Sequence, residues 1–100
     1  MINFSLKEKE FIVKNILRLL PKGKIIAFGS RIQGTAKKYS DLDIAIFQEQ
    51  KIPLRVLSNL SEFFSESELP YKIDLVDGTR IDEEFRELIK KNGEIWVFGE

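Results

Sequence analysis

The chain has 100 residues, 43% hydrophobic and 32% charged, with 16 basic and 16 acidic residues and neither cysteine nor histidine. That length makes a single domain, residues 1–100, with a modest core and a small stability margin. The balanced charge argues against DNA or RNA as the main partner, and the missing residue types exclude disulfides, thiolate zinc sites and Cys–His or Ser–His–Asp catalysis within the chain.

Ser5 and Glu8 form an S-x-x-E capping box that opens a first helix. Ile12, Val13, Ile16, Leu17 and Leu20 recur at helical spacing and make its apolar face, and Pro21 and Gly23 stop it. Lys24 to Phe28 reads as a short, β-branched, mostly buried strand. Gly29 ends that strand, Ser30 is placed to cap a helical turn through Gln33, and Gly34 closes the turn. From Asp41 to Phe47 the chain alternates: Leu42, Ile44 and Ile46 face one way, Asp41, Asp43 and Ala45 the other. Pro53 begins a second helix with Leu54, Leu57, Leu60 and Phe64 expected on its inner face. Pro70 breaks the chain, and Tyr71 to Val76 reads as a third strand with Ile73 and Leu75 on one face and Asp74 on the other. Asp82 to Asn92 is a third long helix, expected to carry Phe85, Leu88 and Ile89 inward, with Asn92-Gly93 as its stop and Glu94 to Phe98 as a final strand. The order predicts an α/β (α+β) domain, one sheet with helices packed against it. The apolar run Ile25–Phe28 is too short to span a bilayer, and the N-terminal residues lack the apolar stretch of a signal peptide. A cytoplasmic location is the default expectation.

The chemistry is concentrated between Phe28 and Ile46, in F-G-S-R-I-Q-G-T-A-K-K-Y-S-D-L-D-I-A-I, together with Asp74. Residues two apart on a strand share a face, so Asp41 and Asp43 project side by side and repel one another unless a cation lies between them. With no histidine or cysteine, that metal must be held by oxygen, which favours magnesium, manganese or calcium. Two magnesium ions would form the usual clamp for phosphoryl and nucleotidyl transfer, and Asp74 on a neighbouring strand can complete the ligand set. Gly29 lets backbone approach a phosphate closely, the N–H groups that follow favour anions, and the Ser30 hydroxyl adds a donor. Arg31, Lys37 and Lys38 lie in the same loop; a solvated loop face and a phosphate contact are equally good readings of them. Asp77 reads as a turn residue before Gly78, Ser40 as a cap or turn into the strand, and Trp96 and Tyr71 as core or interface residues. Each motif alone is weak. Their succession carries the functional reading: a Gly-Ser turn after an apolar strand, ten residues, D-x-D, then a strand acid.

On these residues the sequence resembles the minimal nucleotidyltransferases of the DNA-polymerase-beta-like superfamily, whose G-S, ten-residue, D-x-D signature stands here as Gly29-Ser30 and Asp41-Leu42-Asp43. The longer run is similar to the MNT-domain antitoxins that accompany HEPN-domain toxins. The resemblance covers nearly the whole chain and implies a nucleotidyltransferase fold, a mixed sheet flanked by helices. It implies that Asp41 and Asp43 hold two Mg²⁺ ions, that Asp74 is the third carboxylate, binding the catalytic metal and helping to activate the acceptor hydroxyl, and that Gly29 and Ser30 bind the triphosphate. It further implies AMP transfer from ATP to a tyrosine of a HEPN-type toxin, an RNase that is thereby silenced. Gln33 stands where many relatives carry arginine, which weakens the expected phosphate grip there. One hundred residues supply a nucleotide site and little acceptor surface, so that surface is expected from a helical partner protein. Two other readings stay open: a non-catalytic module that neutralises its partner by occlusion, and the nucleotide-binding subunit of a two-chain enzyme that modifies a small molecule.

Overall fold

A computed structural model describes residues 4–35 and 40–98. The first element, α1 (Leu6–Leu19), starts at the capping box. The Ser5 hydroxyl accepts the Glu8 N–H at 3.1 Å, and the Ser5 N–H donates to Glu8 Oε1 at 2.9 Å. Then come β1 (Lys24–Phe28), the single turn α2 (Ser30–Gln33), β2 (Leu42–Phe47), α3 (Leu54–Ser65), β3 (Ile73–Asp77), α4 (Glu83–Asn92) and β4 (Glu94–Val97). Asp82 caps α4 by accepting the Phe85 N–H at 2.8 Å.

The four strands form one mixed sheet in the order β3-β2-β1-β4. β1 pairs antiparallel with β2 and β4, whereas β2 and β3 run parallel. A parallel pair needs a crossover, and α3 supplies it. The mixed sheet flanked by helices agrees with the architecture expected from the sequence.

Strand alternation splits the apolar residues between two layers. Ile25, Ala27, Leu42, Ile44, Ile46 and Ile73 face α1 and α3, where Ile12, Ile16, Leu60 and Phe64 meet them. On the other face Ile26 and Ala45 pack beneath Ile89 of α4, with Phe28, Phe47 and Val76 around them. Each isoleucine fully buried in these layers contributes roughly 1.5–3 kcal/mol, so the two layers are what fix the strand register.

Several expectations are corrected. Leu54 is 65% exposed, because it opens α3 before the helix turns onto the sheet. Leu88 is 54% exposed, Phe85 is partly exposed with its ring edge-on to Phe28 at 5.9 Å, and only Ile89 of that trio is fully buried. Gly29, not Ser30, is the N-cap of α2, with no side-chain capping bond. β2 begins at Leu42, leaving Asp41 exposed just before it, and β3 begins at Ile73 rather than Tyr71.

Asp77 is more than a turn residue. It is 4% exposed, and its carboxylate accepts the Ile52 N–H, the Thr79 N–H and hydroxyl, and Arg80 Nε, all within 2.8–3.0 Å. Burial alone would raise its pKa, but these donors outweigh that and hold the carboxyl below the ordinary 3.8. Its stabilising contribution is therefore complete above about pH 4 and is lost as pH falls through the lower folded value. Asp77→Ala should cost about 3 kcal/mol by leaving buried donors unpaired. Urea unfolding at pH 7 checks this, and the deficit relative to the unsubstituted chain should shrink below pH 3.

Candidate active site

The parallel register of β2 and β3 sets Asp43 opposite Asp74, and the antiparallel register of β1 and β2 sets Phe28 opposite Asp43. The end of β1, the start of β2 and the start of β3 therefore meet at one edge of the sheet. They meet on the face that carries α4, away from the larger core layer. Asp43 is half-buried there, whereas Asp74, on the edge strand, is exposed.

Gly29 closes this edge. It adopts φ +85° and ψ −166°, a region open essentially only to glycine. A Cβ at this position would overlap the Asp43 carboxylate. The backbone of the turn thus lies directly against the acid, a proximity that any other residue would destroy. The turn then winds into α2, with the Ile32 and Gln33 N–H groups both donating to the Gly29 carbonyl at 3.1 Å, and Gly34 ends it in the left-handed region. Ser30 is the first residue of that turn and directly follows Gly29, whose backbone lies against the Asp43 carboxylate.

The electrostatics follow from this crowding. Asp43 is pushed from 3.8 up to about 6, first by burial, then by the charge of Asp74 and a hydrogen bond with it, and last by the charge of Asp41. Two carboxylates that share a proton are two carboxylates short of a cation. A divalent ion would satisfy both at once, and the donor set is all oxygen, so the pair fits magnesium or manganese. Among the described residues no three acids are already gathered as a metal cluster; Asp43 and Asp74 form the pair and Asp41 stands outside the strand.

Arg31 is turned into the fold rather than held on a solvated loop face. It is 8% exposed, Nε donates to the Ser40 carbonyl at 2.7 Å, and the guanidinium lies over the Tyr71 ring, 4.4 Å from its centroid. Lys37 and Lys38, read evenly from the sequence as solvated or phosphate-contacting, lie outside the described residues. Tyr71 is buried as expected, but its role beneath Arg31 was invisible in the sequence, since nothing in the spacing pairs positions 31 and 71.

The family model described as polymerase beta, nucleotidyltransferase matches residues 8–98. The chain belongs to that nucleotidyltransferase family. It is 49% identical over 89 residues to the Haemophilus influenzae protein named "Probable protein adenylyltransferase MntA", covering 87% of this chain and 78% of that one. The fold is similar to that in a crystal structure of a toxin–antitoxin with AMP-PNP, at a TM-score of 0.75 and 27% identity over 91% of this chain and 74% of the other. A tri-AMPylated Shewanella oneidensis HEPN toxin in complex with MNT antitoxin shares the fold at a TM-score of 0.63 and 24% identity, over 90% of this chain and 72% of the other. The chain carries its Gly-Ser turn and two of the three acids expected from the sequence, Asp43 and Asp74, at one sheet edge.

Two outcomes test this geometry. Gly29→Ala should cost about 1–3 kcal/mol from the backbone region alone and displace the Asp43 carboxylate, which denaturation and nucleotide-binding measurements read separately. Because the folded Asp43 titrates above its unfolded value, its ionisation weakens the fold progressively as pH rises from about 4 to 6. Asp43→Asn should therefore melt higher than the unsubstituted chain by roughly 2–6 °C in metal-free buffer at pH 7.5, with no difference at pH 4.

Proposed function

We propose that this chain is an adenylyltransferase that transfers AMP from ATP to a tyrosine hydroxyl of a helical, HEPN-type toxin and so acts as its antitoxin. The observation that carries the reading is the Asp43–Asp74 pair packed against the Gly29 turn, an anionic edge awaiting a cation beside a backbone that admits a phosphate. The named activity of the Haemophilus relative and the AMP-PNP in the similar toxin–antitoxin structure support adenine nucleotide as the donor.

Asp43 and Asp74, with Asp41 joining from the strand's start, would hold the two Mg²⁺ ions. When bound, these neutralise the triphosphate and lower the pKa of the attacking hydroxyl. Gly29 and the Ser30 hydroxyl receive the outer phosphates, and Lys38 is assigned to the same group from the sequence. Asp74 is exposed on the edge strand, where an incoming protein hydroxyl meets it first. The tyrosine oxygen attacks the α-phosphorus as its proton passes to the Asp74 carboxylate. The new O–P bond forms, the bond from the α-phosphorus to the bridging oxygen breaks, and pyrophosphate leaves toward Ser30. No helix among the described residues is long and apolar enough to cross a membrane; an ATP-using antitoxin of this kind belongs in the cytoplasm.

Intact-mass measurement of the partner after incubation with ATP and Mg²⁺ tests the proposal. Increments of one AMP are expected with the unsubstituted chain and none with Asp43→Asn, which should remain folded. A stable complex with an unmodified partner would instead mean neutralisation by occlusion.

A further inference from the structure

Arg31 follows the Gly29-Ser30 turn directly, yet its side chain points into the fold. It touches the two segments that lead into the acid-bearing strands. Its Nε donates to the Ser40 carbonyl at 2.7 Å, one residue before Asp41 and three before Asp43. Its guanidinium lies 4.4 Å from the centroid of the Tyr71 ring, three residues before Asp74. The ring is itself fixed, because the Tyr71 hydroxyl donates to Glu8 Oε1 at 2.8 Å. That same carboxylate oxygen closes the α1 capping box through the Ser5 N–H. Burial, and then the bond to Glu8, raises the Tyr71 pKa, so the hydroxyl stays a donor at all physiological pH.

The geometry points to Arg31 as a positioning residue, a planar bracket that ties the phosphate turn to the entrances of β2 and β3 and thereby sets Asp41, Asp43 and Asp74 relative to Ser30. A guanidinium suits this task because one face can stack on a ring while an edge N–H reaches a carbonyl. To serve as a phosphate ligand, it would have to leave these contacts and its buried site. Lysine keeps the charge but lacks the plane and the Nε donor. The role assigned to the acids rests on the adenylyltransferase reading; the bracket itself does not.

The test compares Arg31→Lys, Tyr71→Leu and Tyr71→Phe in the full chain by hydrogen exchange of residues 40–43 and by steady-state AMP transfer to the partner. Both Arg31→Lys and Tyr71→Leu should speed exchange at residues 40–43 about tenfold or more and lower kcat by a similar factor, with the KM for ATP changed less than twofold. Their double variant should be no worse than the poorer single one. Tyr71→Phe, which keeps the ring and loses only the bond to Glu8, should restore both kcat and exchange protection relative to Tyr71→Leu. A raised KM for ATP in Arg31→Lys with no effect in Tyr71→Leu would overturn the bracket and make Arg31 a phosphate ligand. Should the unsubstituted chain transfer no AMP, the adenylyltransferase reading fails. The exchange data would still decide the bracket, because unaltered protection in Arg31→Lys and Tyr71→Leu contradicts it.

Discussion

Parallel pairing of β2 with β3 places Asp43 and Asp74 at the same level of adjacent strands, on the same face, with Gly29 closing the space beside them. Most of the structure serves that juxtaposition. The α3 crossover exists because two parallel strands cannot be joined by a hairpin. The buried stripe Leu42–Ile44–Ile46 pins the β2 register from beneath, since a slip of one residue would turn Asp43 into the core and Leu42 out of it. Glycine makes the φ +85° conformation at position 29 accessible, and the flanking strand and turn are hydrogen-bonded on either side of it.

Two aspartates of neighbouring strands show how burial and donors compete. Asp43 pairs with Asp74 and Ile46 pairs with Asp77, three steps apart along the same ladder. Around Asp77, two backbone N–H groups, a hydroxyl and an arginine overcome the desolvation of the charge, leaving a structural acid that is ionised and fully satisfied. Around Asp43 burial is joined by two more carboxylates, and all of these effects push its pKa up. The first acid ties loop segments together. The second stores electrostatic repulsion that only a proton or a cation relieves, as a nucleotide-transfer site requires.

Much of this was legible in the sequence. Capping at Ser5 and Asp82, the β-branched runs and the period-two alternation after Asp41 mark elements through local physics, and the structure carries them within a residue or two. The pairing of Asp43 with Asp74 could be anticipated as proximity but not as register, because register depends on how β2 and β3 align across a long connection. The inward expectation failed for Leu88 and held only in part for Phe85, because helical spacing identifies an apolar stripe without saying how much of it the facing sheet can cover. Arg31 was the largest surprise. A basic residue beside a Gly-Ser turn reads equally as a solvated loop residue or a phosphate contact, and only the tertiary fold, by bringing Tyr71 beneath it, turns the guanidinium inward.

The central claim is that Asp43 and Asp74 together form the divalent-cation site on which transfer depends. Titration of Mn²⁺ into the chain with AMP-PNP, followed by the paramagnetic signal of the free ion, tests it most directly. Saturable binding to the unsubstituted chain, lost in both Asp43→Asn and Asp74→Asn while their melting transitions remain cooperative, is the predicted result. Binding that survives unchanged in Asp74→Asn would contradict the account.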